Sequence, residues 1–175
     1  MTVRELEGPL EREALVLEAL SGAAGGRENL LRAIWPDAYR IAWSVLRNHV
    51  AAEDAAQDAC AKLVGSLSQL RSADAFRTWF YRIVVRCALR YRATPVDSQP
   101  LQAPAGTSVE DRVDLADAVL ALPRDMRITV VLRYYYDLNA TEIAAVTGVP
   151  SGTVRFRLAM ARRRLARHLS LGGHV

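Results

Sequence analysis

Apolar residues recur every three or four positions along most of this chain, and strict alternation is never sustained, which predicts helices nearly throughout and no strands. A first helix is predicted over residues 11–20, ending in the glycine-rich stretch 21–26. A second covers 28–47, with Leu31, Trp35, Ala38, Ala42 and Leu46 on its packing face and Pro36 as a bend. A third covers 51–67; Ala52, Ala55, Ala56, Ala59 and Leu63 fall on one side, and Glu53, Asp54, Gln57 and Asp58 on the other. A fourth is predicted from Asp74, as its N-cap, to Tyr91.

The periodicity then breaks. Residues 93–110 (ATPVDSQPLQAPAGTSVE) hold three prolines, one glycine and few large apolar side chains, which reads as an extended, flexible linker. Helical spacing resumes beyond it. The expected architecture is all-α, with two small helical domains, 10–92 and 111–170, joined by that linker. No internal repeat is evident.

The sharpest local pattern lies in the second domain. Asn139 with Glu142 three residues on predicts a capping box, Gly148 suits a left-handed helix end, and Ser151 is placed to cap the next helix. Two helices on so tight a turn, locked by Ile143, Val146, Val149, Val154 and Leu158, are the plan of a helix-turn-helix. Val154, Leu158, Ala161 and Leu165 share one face of the second helix, with Arg155, Arg157, Arg162, Arg163, Arg164 and Arg167 around the rest.

Charge now sharpens the picture. A formal net charge of +4 decides little alone, but every basic residue except Lys62 is arginine, and arginine forks onto phosphates and guanine edges. No acidic residue interrupts the last helix, so its arginines repel one another unless phosphate neutralises them. Phe156 stands opposite the apolar stripe, where a merely solvated face has no use for a ring. Ser151, Thr153, Arg155 and Phe156 are therefore the candidates for base readout, and Arg157, Arg162, Arg163 and Arg164 for phosphates.

A second arginine cluster lies on the fourth helix. Phe76, Phe80, Ile83 and Cys87 define its core face, and Trp79, Arg82, Arg86 and Arg90 an adjoining stripe, with Arg77 nearby. Aromatic rings interleaved with arginine suit unstacked bases, although an amphipathic helix with a solvated basic edge has the same pattern. The acidic stripe of the third helix would repel DNA, so it faces solvent or a basic protein surface.

Other chemistry is not suggested. Cys60 and Cys87 are far apart in sequence and lack partners at metal spacing, so both read as small buried apolar side chains, with neither a disulfide nor a zinc site. His49, His168 and His174 are scattered, and no nucleophile, base or metal set clusters, so neither enzyme activity nor a cofactor is expected. No apolar run nears the roughly 20 residues that cross a bilayer, and the acidic N-terminus is unlike a signal peptide, which places the protein in the cytoplasm, off the membrane.

These segments, in this order, resemble an extracytoplasmic-function sigma factor over most of residues 14–169. Ala52 to Asp58 is similar to the family's core-polymerase-binding helix. Phe76-Arg77-Thr-Trp79-Phe80-Tyr81-Arg82-Ile83 is similar to its −10 reading and strand-opening segment. Leu122-Pro123 through Arg127, Leu132, Arg133, Glu142-Ile143-Ala144, Gly148, Gly152-Thr153-Val154, Arg157-Leu158 and Ala161-Arg162 are similar to its −35 reading domain.

The resemblance implies two partners, promoter DNA and the RNA polymerase core. The acidic stripe would dock on the clamp helices of the β′ subunit, and the linker would thread toward the active-site cleft and RNA exit path, alongside the β subunit. Loop residues 70–73 would hold a flipped base. An anti-sigma factor stays open as a further partner. The chain departs from the pattern at Ala56, Cys60 and Val64, where bulkier apolar residues are usual, and at Phe156 and Met160, where a small polar and a basic residue are commoner. With no long extension after Leu169, no built-in regulatory domain is expected. A stand-alone helix-turn-helix regulator is the alternative, and a helical adaptor or anti-sigma-like protein a third reading.

Overall fold

The computed structural model describes residues 9–70, 72–91 and 109–172, and among these every regular element is helical. The N-terminal half holds α1 (Pro9–Ser21), α2 (Gly26–Leu46), α3 (His49–Ser66) and α4 (Phe76–Arg90). The C-terminal half holds α5 (Val109–Leu120), α6 (Arg124–Val130), which runs on through a wider turn at Val131–Tyr135, then α7 (Ala140–Thr147) and α8 (Ser151–Gly172). The linker expected over 93–110 lies outside the described residues up to 108; Val109 and Glu110 already belong to α5.

Local signals explain most element ends. Gly25 takes a left-handed φ of 80° to enter α2, which runs on through Pro36. Arg47 ends α2 in the left-handed region, at φ 52°, and Asn48 caps α3 by accepting a hydrogen bond from the Ala51 N–H at 3.0 Å. Asp74 does not cap α4. It sits inside a short 3₁₀ turn, Ala73–Ala75, and α4 starts at Phe76 without a side-chain cap.

The N-terminal helices pack around Leu30, Ile34, Ile41, Leu63, Leu67, Phe80, Val84 and Val85, all essentially inaccessible. The face expected for α2 is shifted: Ala38, Ala42 and Leu46 are buried, but Trp35 is exposed, and Leu30, Ile34 and Ile41 carry the packing. In the C-terminal half Leu132, Leu138, Ile143, Val146 and Val154 form the core.

The two halves pack against each other. A single buried cluster runs from α1 to α8, because α4 lies against α7 and α2 against α6. That contact also changes the face expected for α4. Phe76, Phe80 and Cys87 are buried as predicted, Ile83 is only half-buried, and Tyr81, Val84, Val85 and Ala88 are buried too, since neighbours cover α4 on more than one side.

Candidate functional site

The helix-turn-helix forms as its spacing predicts. Asn139 Oδ1 accepts from the N–H groups of Thr141 and Glu142, at 2.9 and 3.0 Å, and Glu142 Oε2 accepts from the Asn139 N–H at 2.7 Å. Gly148 closes α7 at φ 75°. Ser151 is already the first residue of α8, whose backbone ladder begins with the Val154 N–H donating to the Pro150 carbonyl at 3.1 Å. Its hydroxyl therefore does not cap; it lies 3.5 Å from an Arg155 guanidinium nitrogen.

Val154, Leu158 and Ala161 seat α8, with Leu165 half-buried. At about 100° per residue, Arg155 and Arg162 then fall on one flank, Arg157 and Arg164 on the other, and Phe156 and Arg163 outward. Arg155, Phe156, Arg162, Arg163 and Arg164 are exposed, Phe156 at 63%. Thr153 and Ser151 are half-buried beside them. Arg157 is different: its guanidinium donates to Asp125 Oδ2 of α6 at 2.6 Å, so one of the six arginines is compensated from a neighbouring helix. Asp125 escaped the sequence reading because its partner lies 32 residues away.

On α4 the structure keeps four of the five candidates together. Trp79 and Arg82 are half-buried, and Arg86 and Arg90 are exposed along the same stripe. Arg77 is not part of it. Helical spacing puts it on the side of Tyr81, Val84 and Ala88, turned to the C-terminal half, where it donates to Glu142 Oε1 at 3.1 Å. Of the loop expected to hold a base, Arg71 lies outside the described residues, Leu70 and Ala73 are half-buried and Ser72 is exposed.

The acidic stripe on α3 is exposed among the described residues. Glu53, Asp54, Gln57 and Asp58 are all exposed, and Ala52, Ala55, Ala56, Ala59 and Leu63 are buried beneath them. Asp58 accepts from the Tyr91 hydroxyl at 2.9 Å, which raises the phenol's pKa. Of the positions that depart from the family pattern, Ala56 and Cys60 are buried and Val64 and Met160 are half-buried. Cys60 and Cys87 are both buried, as expected, and the fold brings them within electrostatic reach of each other. Burial first, and the Cys87 charge second, push Cys60 up to about 11.

Between the halves sits the least exposed charge among the described residues. Arg127, 5% exposed, donates Nε to the Ser44 carbonyl at 2.5 Å and Nη1 to the carbonyls of Leu120 and Leu122 at 3.1 and 2.9 Å. Nη2 reaches the Val45 carbonyl at 3.4 Å. Ser44 and Val45 lie in the last turn of α2, whose carbonyls lack helical donors and carry the negative end of the macrodipole. A guanidinium from α6 meets both needs. Burial, with Arg47 and Arg124 nearby, lowers its pKa to about 10, so it stays charged at neutral pH.

A second joint centres on Asp37, buried on α2 and paired with Arg12 at 3.1 Å and Arg40 at 3.4 Å. The Tyr136 hydroxyl donates to it at 3.4 Å, and the Tyr136 ring packs 4.8 Å from that of Tyr81. Burial and the Asp37 charge raise Tyr81 to about 12 and Tyr136 well above the usual phenol value.

Comparison with known proteins places these features in a family. Residues 30–94 match Sigma-70 region 2, and residues 112–165 match Sigma-70, region 4. The chain is 31% identical to the RNA polymerase sigma factor SigV of Bacillus subtilis over 130 residues, 70% of this chain and 78% of that one. It is 33% identical over 139 residues to the ECF RNA polymerase sigma factor SigM of Mycobacterium tuberculosis, 75% of this chain and 70% of that one. Among solved structures it is similar to CnrH in complex with the cytosolic domain of CnrY, with a TM-score of 0.65, 21% identity and coverage of 91% and 97%. It is also similar to RpoE of Bartonella quintana in complex with the anti-sigma factor NepR, at TM-score 0.66, 22% identity and coverage of 84% and 98%. The region 2 match separates the chain from a stand-alone helix-turn-helix regulator, and two sigma regions in order, with this identity to curated relatives, mean that the chain belongs to the extracytoplasmic-function sigma factors of the sigma-70 family, which act in transcription initiation.

Proposed function

We propose that this sigma factor reads the −35 element with α8, the −10 element with the Trp79, Arg82, Arg86 and Arg90 stripe of α4, and grips the polymerase β′ clamp helices with Glu53, Asp54, Gln57 and Asp58. The carrying observation is the surface of α8, where Arg155, Arg162, Arg163 and Arg164 are exposed around a 63% exposed Phe156, with no acidic residue on the helix. Phosphate supplies the missing countercharge, and an exposed ring suits a thymine methyl in the major groove.

On α4 the ring and guanidinium groups suit a single strand, so opening is favoured because the protein binds the product of melting. No bond is made or broken in that scheme. The stripe on α3 stays exposed and carries only carboxylates and an amide, which suits a basic protein surface and no part of DNA. A factor with these partners works in the cytoplasm; no described helix is long and apolar enough to cross a membrane. An anti-sigma partner fits the same stripe or the interdomain faces, in keeping with the NepR complex of the Bartonella quintana relative.

Run-off transcription with purified core polymerase on a promoter library tests the reading. Arg155→Ala is expected to relax preference at one upstream position by about 1–3 kcal/mol, whereas Arg163→Ala lowers output uniformly. Reversing charge at Asp54 and Asp58 together is expected to abolish holoenzyme assembly. Uniform loss for Arg155→Ala, or unchanged assembly, would refute the corresponding role.

A further inference from the structure

We propose that Asp125 is a positioning residue of the duplex-binding site: by holding Arg157 against α6 it keeps one arginine of α8 off the DNA backbone, and so sets how tightly the protein holds DNA of any sequence. The inference rests on the reading of α8 as the duplex-binding helix and goes beyond it, since it concerns a carboxylate on a different helix. Every other α8 arginine among the described residues lacks a carboxylate partner: Arg155 reaches only the Ser151 hydroxyl, and Arg167 only the Arg163 carbonyl. Arg157 alone is paired, at 2.6 Å, and is 21% exposed where Asp125 is 55% exposed.

The pair is built, not incidental. Asp125 stands in the first turn of α6, where the macrodipole favours a carboxylate, and its own carbonyl accepts from the Thr129 hydroxyl at 2.7 Å. The same two residues line an open groove of about 580 Å3 with Pro123, Met126, Thr153 and Phe156, next to the candidate base readers. A phosphate seeking Arg157 must displace a short charge-assisted bond and approach a fixed negative charge. Phosphate contacts supply affinity without sequence information, and base contacts supply discrimination. Asp125 therefore lowers the first and leaves the second untouched.

The test uses holoenzyme reconstituted from the full chain and core polymerase. Binding is titrated against salt on a promoter selected from a random library and on the same promoter with its upstream element scrambled. Asp125→Asn is expected to tighten binding to both by the same factor and to steepen the salt slope by about 0.9, the signature of one added phosphate contact. Arg157→Ala alone keeps the wild-type slope, the double variant returns to it, and Asp125→Glu behaves as wild type. Loss of fold would weaken binding, so a gain is not a structural side effect.

An unchanged slope in Asp125→Asn, a gain that persists in the double variant, or a flatter slope in Arg157→Ala alone would each overturn the inference. If scrambling the upstream element and Arg155→Ala both left binding unaltered, the reading of α8 would fall, and this inference with it.

Discussion

Arg77 of α4 donates to one oxygen of Glu142 at 3.1 Å while the other oxygen accepts the Asn139 N–H at 2.7 Å, so a single carboxylate ties the N-terminal half to α7 and completes the cap of the helix-turn-helix. The two tasks can be separated by substitution. Glutamine at a capping-box third position still accepts from the backbone, so Glu142→Gln removes only the exposed ion pair, at a cost of about 0.5 kcal/mol or less. Glu142→Ala removes both, and Asn139→Ala the cap alone, at about 1 kcal/mol. Urea unfolding of the full chain is expected to rank them in the order Gln, then either Ala variant.

Arg127→Met strips the donor from the carbonyls of Ser44 and Leu122, while that of Leu120 keeps a second one, from Arg47 at 3.2 Å. Unsatisfied buried acceptors cost about 1–3 kcal/mol each, so a loss of roughly 2 kcal/mol or more is expected, well beyond a surface arginine substitution. The control is Arg163→Met, an exposed position on α8, which is expected to leave the unfolding midpoint within about 0.5 kcal/mol of wild type.

Stability is expected to fall on the alkaline side. Cys60 is raised from 9.0 to about 11 and Tyr81 from 10.0 to about 12, so each holds its proton longer in the folded chain than in the unfolded one. Such groups contribute fully below their unfolded pKa and lose that contribution as pH rises through the folded value. Arg127, lowered from 12.5 to about 10, acts in the opposite sense, its burial cost being relieved as pH rises between those values. Chemical denaturation at a series of pH values is expected to show a decline beginning near pH 9, which Cys60→Ala makes shallower between 9 and 11.

Two glycines of the helix-turn-helix should respond oppositely to alanine. Gly148 has open space around its missing Cβ but a φ of 75°, so Gly148→Ala costs about 1–2 kcal/mol through backbone strain alone. Gly152 has equal space and lies within α8, so Gly152→Ala stabilises by about 0.5–1 kcal/mol through helix propensity. Thermal unfolding of the two variants reads the sign directly.

What the sequence discloses here is local. The capping box, the glycine turn, the acidic stripe of α3 and the apolar seat of α8 each depend on residues within two turns of one another, and all are where periodicity puts them. The joints between the halves depend on pairs 65, 83 and 99 residues apart, Arg77 with Glu142, Arg127 with Ser44 and Tyr136 with Asp37, which no spacing rule connects. Arg77 left one trace: counted at 100° per residue, it stands across α4 from Trp79, Arg86 and Arg90 and among apolar side chains. Asp74 and Ser151 missed as caps for the opposite reason, since each chain segment turns helical one or two residues earlier than the capping signal allows.

The guanidinium of Arg127 binds the last turn of α2 to α6, and this has a consequence for reach. Elements named −10 and −35 lie about 25 base pairs, or roughly 85 Å of duplex, from each other. A folded chain of this length has a radius of gyration of only about 16 Å. A factor that touches both ends of such a stretch at once has to unclasp, and the Ser44 and Val45 carbonyls then turn to water for their donors while Leu120 and Leu122 stay with Arg127; whatever straightens the molecule along its template supplies the work of that exchange.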